Sequence, residues 1–193
     1  MITHIRGKLV EKNPTYTIIE CNGIGYFLHI SLNTYSKIPD IEAVKLFTYL
    51  SIKEDSHTLF GFFDRIEREI FKLLISVSGV GTSIARTMLS SMTPEQIQQA
   101  IASEDVATIQ SVKGIGAKTA QRVIIDLRDK ILKTYQLAED SIPSNNTIRE
   151  EALSALEVLG FSRKQVDRLV QKIIQETPDI TLENIIKQAL KNL

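Results

Sequence analysis

The sequence lacks three features that would each define a class of protein. Its 23 basic residues equal its 23 acidic residues, so the strongly basic composition of many nucleic-acid-binding proteins is missing and any such contact must be local. A single cysteine, Cys21, excludes a disulfide framework or a zinc cluster, and a small buried hydrophobe is expected there. Because no apolar run has the length of a signal peptide or a membrane span, we expect a cytoplasmic protein without a membrane partner.

Residues 1–63 have the pattern of a small β-barrel. Asn22-Gly23 separates two apolar runs and is typical of a type I′ hairpin turn, which needs positive φ at both central residues. Five short runs in this region are rich in β-branched and aromatic residues: KLVEKN (8–13), TYTIIECNG (15–23), IGYFLHIS (24–31), VKLFTYLSI (44–52) and TLFGF (58–62). So many short strands in one segment predict a closed barrel of OB type.

The rest of the chain is helical and falls into two parts joined by a linker. Residues 64–135 contain the capping pattern Thr93 to Gln96, and residues 65–135 carry 10 basic against 7 acidic side chains. Residues 136–148 are polar with little to bury, which is typical of a flexible linker. Residues 149–193, with a capping box from Ser162 to Gln165 and a one-sided apolar stripe, predict a three-helix bundle resembling ubiquitin-associated domains. The predicted fold class is therefore α+β and multidomain.

An internal duplication lies within residues 64–135. Residues 71–90 align with residues 106–125, so that Ser-Val-x-Gly-h-Gly-x-x-x-Ala occurs twice at an offset of 35 residues. Helical sequence on both sides of each Gly-h-Gly predicts two helix-hairpin-helix motifs. Glycines let a phosphate approach the backbone closely, and the free N–H groups at the start of the second helix point at it. The predicted DNA contacts are Gly79, Gly81, Thr82 and Ser83 in the first copy, and Gly114, Gly116, Lys118, Thr119 and Arg122 in the second.

Nucleotide-binding motifs do not fit the same glycines. GIGAKT resembles a shortened phosphate-binding loop, but Ala117 stands where such a loop needs glycine before its lysine, and the upstream glycine spacing is wrong. Neither copy has the third glycine of a dinucleotide-binding loop. We therefore expect no ATP site and no cofactor, and a single Gly-x-Gly by itself is more often a plain turn between helices.

An acidic pair, Glu54 and Asp55, lies at the tip of a predicted hairpin between two strands. On the residues alone, a solvent-exposed turn is the simplest interpretation. A catalytic metal pair is less favoured, since adjacent hairpin residues diverge and no third acid or histidine has ligand spacing nearby.

The ordered combination of these features resembles the RuvA family of Holliday junction branch migration subunits. KEDSHTLFGF at the end of the barrel is followed by SGVGTSIA, KGIGAKTA, a polar linker and a small bundle containing LGF. The resemblance implies a homotetramer, as one or two tetramers on a four-way junction, with Glu54 and Asp55 as a central acidic pin. It also implies a C-terminal domain that docks a RuvB-type ATPase motor, and work with a RuvC-type resolvase. Candidate docking residues are Leu156, Leu159, Phe161 and Leu190, although core packing explains most of them equally well.

This sequence departs from the family pattern in both hairpins, and other functions remain open. Thr82-Ser83 and Ala117 stand where lysines often occur, which leaves Lys118 as the main cation. The sequence predicts no catalytic residues, so force must come from ATP hydrolysis by the partner. The alternatives are a generic tandem-hairpin accessory subunit of a repair nuclease, a metal-dependent nuclease using Glu54 and Asp55, and, from LGF alone, a ubiquitin-binding adaptor.

Overall fold

The structure is a computed structural model that describes residues 2–139, 145–177 and 180–192, without the side chains of 132–139 and 145–147. It divides into two compact units, residues 1–133 and 134–193. Within the described residues, no helix is both long enough and apolar enough to cross a bilayer. Helix occupies both ends of the predicted linker, residues 136–139 and 145–148, while residues 140–144 lie outside the described part of the chain.

The first unit begins with a closed barrel of five strands, which confirms the predicted fold. The strands are β1 His4–Asn13, β2 Tyr16–Cys21, β3 Ile24–His29, β4 Ala43–Ile52 and β5 His57–Phe62, in the order β1-β2-β3-β5-β4. Asn22 and Gly23, between β2 and β3, have φ of 51° and 84°, so the predicted hairpin turn is confirmed. All neighbouring strands are antiparallel except β3 and β5, which pair in parallel at His29 and Phe60 and close the barrel.

A short helix that the sequence did not predict, α1 (Leu32–Lys37), connects β3 to β4. Ser31 caps it, since the Ser31 hydroxyl accepts a hydrogen bond from Thr34 N at 3.0 Å. Both hydroxyls also donate to the carboxylate of Glu67, whose residue is fully buried, and the distance from Thr34 is 2.7 Å. Ser31 and Thr34 therefore connect the end of β3 and helix α1 to the later helix that contains Glu67.

Five helices complete the first unit around a core shared with the barrel. They are α2 Arg65–Ile75, α3 Thr82–Ser91, α4 Pro94–Ala102, α5 Val106–Gln110 and α6 Ala117–Glu139. The capping box at Thr93 is present as predicted, with Gln96 N donating to the Thr93 hydroxyl at 3.3 Å. Phe71 of α2 is fully buried, and its ring lies 5.0 Å from that of Phe62 and 5.1 Å from that of Phe60. The helices thus share one apolar cluster with Phe60 and Phe62 of the barrel, and the interior of the barrel forms a second cluster.

The second unit contains the predicted three-helix bundle. Its helices are α7 Asn145–Val158, α8 Arg163–Glu176 and α9 Leu182–Asn192. Leu153, Val166 and Ile185, one from each helix, are fully buried in a separate apolar core. The Ser162 capping box opens α8 as predicted, with Gln165 Oε1 accepting from Ser162 N at 3.3 Å.

Candidate nucleic-acid interface

The two Gly-h-Gly turns have the same backbone geometry. Gly79, between α2 and α3, has a φ of +94°, and Gly114, between α5 and α6, has a φ of +97°. The turns also share a hydrogen bond at the 35-residue offset: Val80 N donates to Val77 O at 3.0 Å, and Ile115 N donates to Val112 O at 3.1 Å. The internal repeat in the sequence is therefore a structural repeat of two helix-hairpin-helix motifs.

Gly81 and Gly116, the second glycine of each turn, lie outside the left-handed region. Gly81 has a φ of −86°, and a Cβ built at either residue would meet no atom within 4 Å. A side chain at Gly81 or Gly116 would therefore not forbid the turn, because the left-handed conformation that favours glycine occurs at Gly79 and Gly114 instead. The open space leaves room for a ligand to approach the backbone at Gly81 and Gly116.

Each turn leads into a helix whose first N–H groups have no partner within the helix. Gly81 is the N-cap of α3 and supplies no side chain to bond these groups. Ala85 N donates to Gly81 O at 3.0 Å, and the equivalent bond from Ala120 N to Gly116 O is 2.9 Å. The N–H groups before these bonds therefore point out of the helix end, where the helix dipole favours an anion.

The two hairpins pack against each other reciprocally. A Cβ at Gly79 would lie 3.7 Å from the Thr119 hydroxyl of α6, and a Cβ at Gly114 would lie 3.7 Å from the Ile84 side chain of α3. Arg122 Nη1 also donates to Ser78 O in the first turn, at 3.4 Å. Arg122 and Thr119, both predicted as DNA contacts, thus also hold the two turns together.

Two exposed lysines supply positive charge at the second hairpin. Within the described residues, Lys113 and Lys118 form no salt bridge, whereas Arg128 is paired with Glu104. The sequence singled out Lys118 but missed Lys113, which fills the variable position of Ser-Val-x-Gly. The signal that could have found it is its position directly before Gly114, the first glycine of the second Gly-h-Gly. In the first copy Ser78 occupies that position, and the predicted contacts Thr82 and Ser83 offer hydroxyls instead of charge.

The acidic tip is a tight, exposed turn between β4 and β5. Lys53 N donates to Ser56 O at 2.9 Å, which closes the turn. Glu54 and Asp55 are exposed, and Asp55 contacts only the neighbouring Ser56 hydroxyl, at 3.2 Å. Among the described residues no group of three His, Cys, Asp or Glu side chains could hold a metal ion. The turn therefore presents two carboxylates to solvent.

The predicted docking residues of the C-terminal bundle have different exposures. Leu156 is fully buried in the bundle core, and Phe161 is half-buried. Leu159 is 56% exposed and Leu190 is 44% exposed. Val158, which the sequence reasoning missed, is 86% exposed. Among the described residues of the bundle, the exposed large apolar side chains are therefore Val158, Leu159 and Leu190, while Leu156 belongs to the core.

Comparisons with known proteins cover nearly the whole chain. Three family models match it: RuvA N terminal domain at residues 1–61, SAM-like Helix-hairpin-helix tandem at residues 71–129, and RuvA, C-terminal domain at residues 147–193. The chain is 64% identical to a protein of Christiangramia forsetii and to one of Flavobacterium psychrophilum, over all of each chain. It is 45% identical to a protein of Bacteroides fragilis, again over all of both chains. Each of these relatives is named Holliday junction branch migration complex subunit RuvA, and at this identity and coverage the chain belongs to the RuvA family.

Proposed function

We propose that this chain binds four-way junction DNA and holds it open as the DNA-binding subunit of a branch migration complex. One observation carries the proposal: two glycine turns of the same geometry each open a helix N-terminus, in a chain whose relatives are named for this complex. Backbone N–H groups bind phosphate without reading bases, which suits a protein that must act on junctions of any sequence. Backbone donors also explain how a chain of zero net charge can bind DNA.

The hairpins attract phosphates in this proposal, and the acidic tips repel them. Thr82 and Ser83 of the first hairpin, and Lys118 of the second, contact the DNA backbone, with Lys113 as a further cation. Glu54 and Asp55 project toward the centre of the junction and disfavour a closed crossover, because phosphates crowding there meet like charges. Attraction at the arms together with repulsion at the centre keeps the strands free to exchange.

Four copies of the chain form the functional assembly, arranged with fourfold symmetry as one tetramer or two on a junction. Symmetry brings four tips together at the centre and gives each arm its own pair of hairpins. Each subunit contacts only a small part of the DNA. Because four linked subunits bind the same junction, the affinity of each one can be weak.

The two units of the chain divide the work. Residues 64–135 bind DNA, and residues 149–193 dock a RuvB-type ATPase through the exposed Val158, Leu159 and Leu190 together with the half-buried Phe161. The chain itself is non-catalytic and cytoplasmic, needs no cofactor, and cooperates with a RuvC-type resolvase. The force for branch migration comes from ATP hydrolysis by the motor.

A gel-shift comparison tests this function. The full-length chain is titrated into a four-way junction and into a linear duplex containing the same arm sequence, at several salt concentrations and with magnesium absent or present. We expect much tighter binding to the junction and no cleavage. Equal affinity for both DNAs would support a generic tandem-hairpin accessory subunit, and magnesium-dependent cleavage would support a nuclease.

A further inference from the structure

Positively charged side chains converge on the outside of the barrel, away from the hairpins. Lys45 Nζ lies 5.1 Å from the centroid of the Phe47 ring, Arg68 Cζ lies 5.5 Å from it, and Arg65 Cζ lies 5.8 Å from it. Arg6 on β1 is the direct cross-strand partner of Lys45 on β4, so the two side chains share one face of the sheet. We call Arg6, Lys45, Arg65 and Arg68 around Phe47 the basic face.

The charge of the basic face is largely uncompensated. Within the described part of the chain, the one acidic residue that the basic face contacts is Glu69. Its carboxylate lies 2.9 Å from the Arg68 guanidinium and 2.8 Å from the Lys72 amine, so Arg68 and Lys72 share its charge. Arg6, Lys45 and Arg65 are exposed and take part in none of the salt bridges formed there. Lys8, the next residue on the same face of β1, is by contrast paired with Glu42 at 3.5 Å.

Folding accounts for Arg68, which donates to Thr3 O at 3.0 Å, but not for the three exposed cations beside it. Like charges directly opposite each other on neighbouring strands destabilise a sheet, and here the repulsion of Arg6 and Lys45 is increased by two arginines from α2. Contact with an aromatic ring stabilises a single cation, but three cations on one ring repel one another. In a chain with no excess of positive charge, such a concentration indicates that something negatively charged binds there.

The basic face is separate from the hairpins. Arg65 opens α2, while the first hairpin begins after Ile75 at the other end of that helix. Ten residues at a helical rise of about 1.5 Å each place about 15 Å between the two sites. A ligand on the basic face therefore does not compete with a phosphate at the hairpin turn.

We propose that the basic face is a second phosphate-binding surface, which contacts the backbone of the same DNA outside the hairpins. The exposed Arg65 guanidinium lies over the aromatic ring and, among the described residues, its N–H donors are free for phosphate oxygens, whereas Arg68 donates to Thr3 O at 3.0 Å and to Glu69 at 2.9 Å. The three exposed cations, Arg6, Lys45 and Arg65, suit a polyanion better than an apolar protein surface, since the one apolar member of the face, Phe47, is half-buried and covered by charge. The proposal rests on the DNA binding proposed above and adds a contact that the hairpins do not supply.

The double variant Lys45→Gln, Arg65→Gln of the full-length chain tests the proposal. We expect several-fold weaker binding to both junction and duplex, with the slope of log affinity against log salt reduced by up to about 2, since each lost phosphate contact removes about 0.9. The melting temperature should equal or exceed that of the wild type, because the repulsion between Lys45 and Arg6 is relieved. The single variant Arg65→Gln, which leaves the sheet unchanged, should give about half the change in slope.

The control is Lys172→Gln, Lys187→Gln, which removes the same charge from the C-terminal unit, where both lysines are exposed and paired with acids. An affinity and salt slope equal to those of the control would overturn the proposal. The proposal would also be overturned if the salt slope were unchanged and ultracentrifugation showed a changed association state. The basic face would then be a contact between copies of the chain. Failure of the proposed function itself would be visible in the wild type, as a lack of preference for the junction.

Discussion

At the residue scale, the two glycines of each hairpin have different roles and should respond differently to substitution. Gly79→Ala places a side chain at a φ of +94°, which costs roughly 1–3 kcal/mol, so its melting temperature should fall by several degrees. Gly81→Ala meets open space at an ordinary φ, so its stability should stay near that of the wild type while junction affinity falls. Thermal unfolding and gel shifts on both variants separate the two roles, and normal junction affinity of Gly81→Ala would exclude a close phosphate at that turn.

The second hairpin offers the same comparison with a larger effect. Gly116→Asp adds a negative charge where the helix N-terminus is expected to meet phosphate, so a folded variant should lose junction binding. Gly116→Ala is the matched control for side-chain size, and it should weaken binding less. Unchanged junction affinity of Gly116→Asp would show that the second hairpin does not touch DNA.

Lys118 and Lys113 differ from these glycines because their contribution is electrostatic. Lys118→Ala should reduce the slope of log affinity against log salt by about 1 and weaken junction and duplex binding alike. Lys113→Ala should do the same if the second turn contacts DNA through both lysines. Lys164→Ala, on the exposed start of α8, is the control and should leave the slope unchanged. An affinity that does not depend on salt would contradict the electrostatic basis of the proposed function.

Glu67 gives a prediction for the dependence of stability on pH. Burial raises the pKa of Glu67, and this effect outweighs the hydrogen bonds from Ser31 and Thr34, which lower that pKa. The folded chain therefore holds this proton more tightly than the unfolded chain, and the free energy of unfolding should fall as pH rises above about 4.3, the ordinary glutamate pKa, through the raised value. Urea unfolding at several pH values should show this decline in the wild type and a smaller decline in Glu67→Gln. Equal declines in both proteins would contradict it.

The sequence located both Gly-h-Gly turns but not the conformations of their glycines. Aligning the chain with itself found both Gly-h-Gly turns, because duplication preserves residue types. It could not assign the left-handed conformation to Gly79 and Gly114, since φ depends on the hydrogen bonds of the folded turn. Lys113 was missed because the first copy has serine at that position.

At the element scale, the hairpin formed by β4 and β5 ends in two exposed carboxylates whose role can be isolated. The double variant Glu54→Gln, Asp55→Asn removes the negative charges that phosphates would meet at the junction centre. Each pair of like charges a few ångströms apart costs on the order of 1 kcal/mol in water. Junction affinity should therefore equal or exceed that of the wild type, preference over linear duplex should fall, and the rate of motor-driven branch migration should change. Unchanged selectivity would leave the tip as a solvent-exposed turn only.

Elements with strong local signals were predictable, and those that depend on packing were not. The five strands and the capped helices α4 and α8 follow from turn residues, alternation and capping patterns that act within a few residues. Helix α1 was missed because six residues are too few to show a helical period. Its contact with Glu67 spans more than 30 positions of the sequence, and a pattern within one segment cannot reveal it.

At the scale of the whole molecule, the separate cores of the two units predict that they function separately. A chain ending at residue 136 keeps both apolar clusters of the first unit and should bind junctions as tightly as the full-length protein. It should not support branch migration by the motor, because the apolar surface around Leu159 is gone. Gel shifts and a branch migration assay with the motor present measure the two effects. Loss of junction binding by a folded truncated chain would contradict the division of labour.

The parallel closure of the barrel also has a consequence for cooperativity. β3 and β5 pair at one position, His29 with Phe60, so the barrel closes there through a very short strand pairing. The His29 ring lies 5.7 Å from that of Phe60, and Arg86 of α3 bonds His29 Nδ1 at 3.1 Å and Thr15 O at 3.3 Å. Helix α3, which follows the first hairpin turn, thus holds this strand pairing from outside. Hydrogen exchange at β3 and β5 should therefore slow when DNA immobilises α3, although neither strand contains a proposed DNA contact.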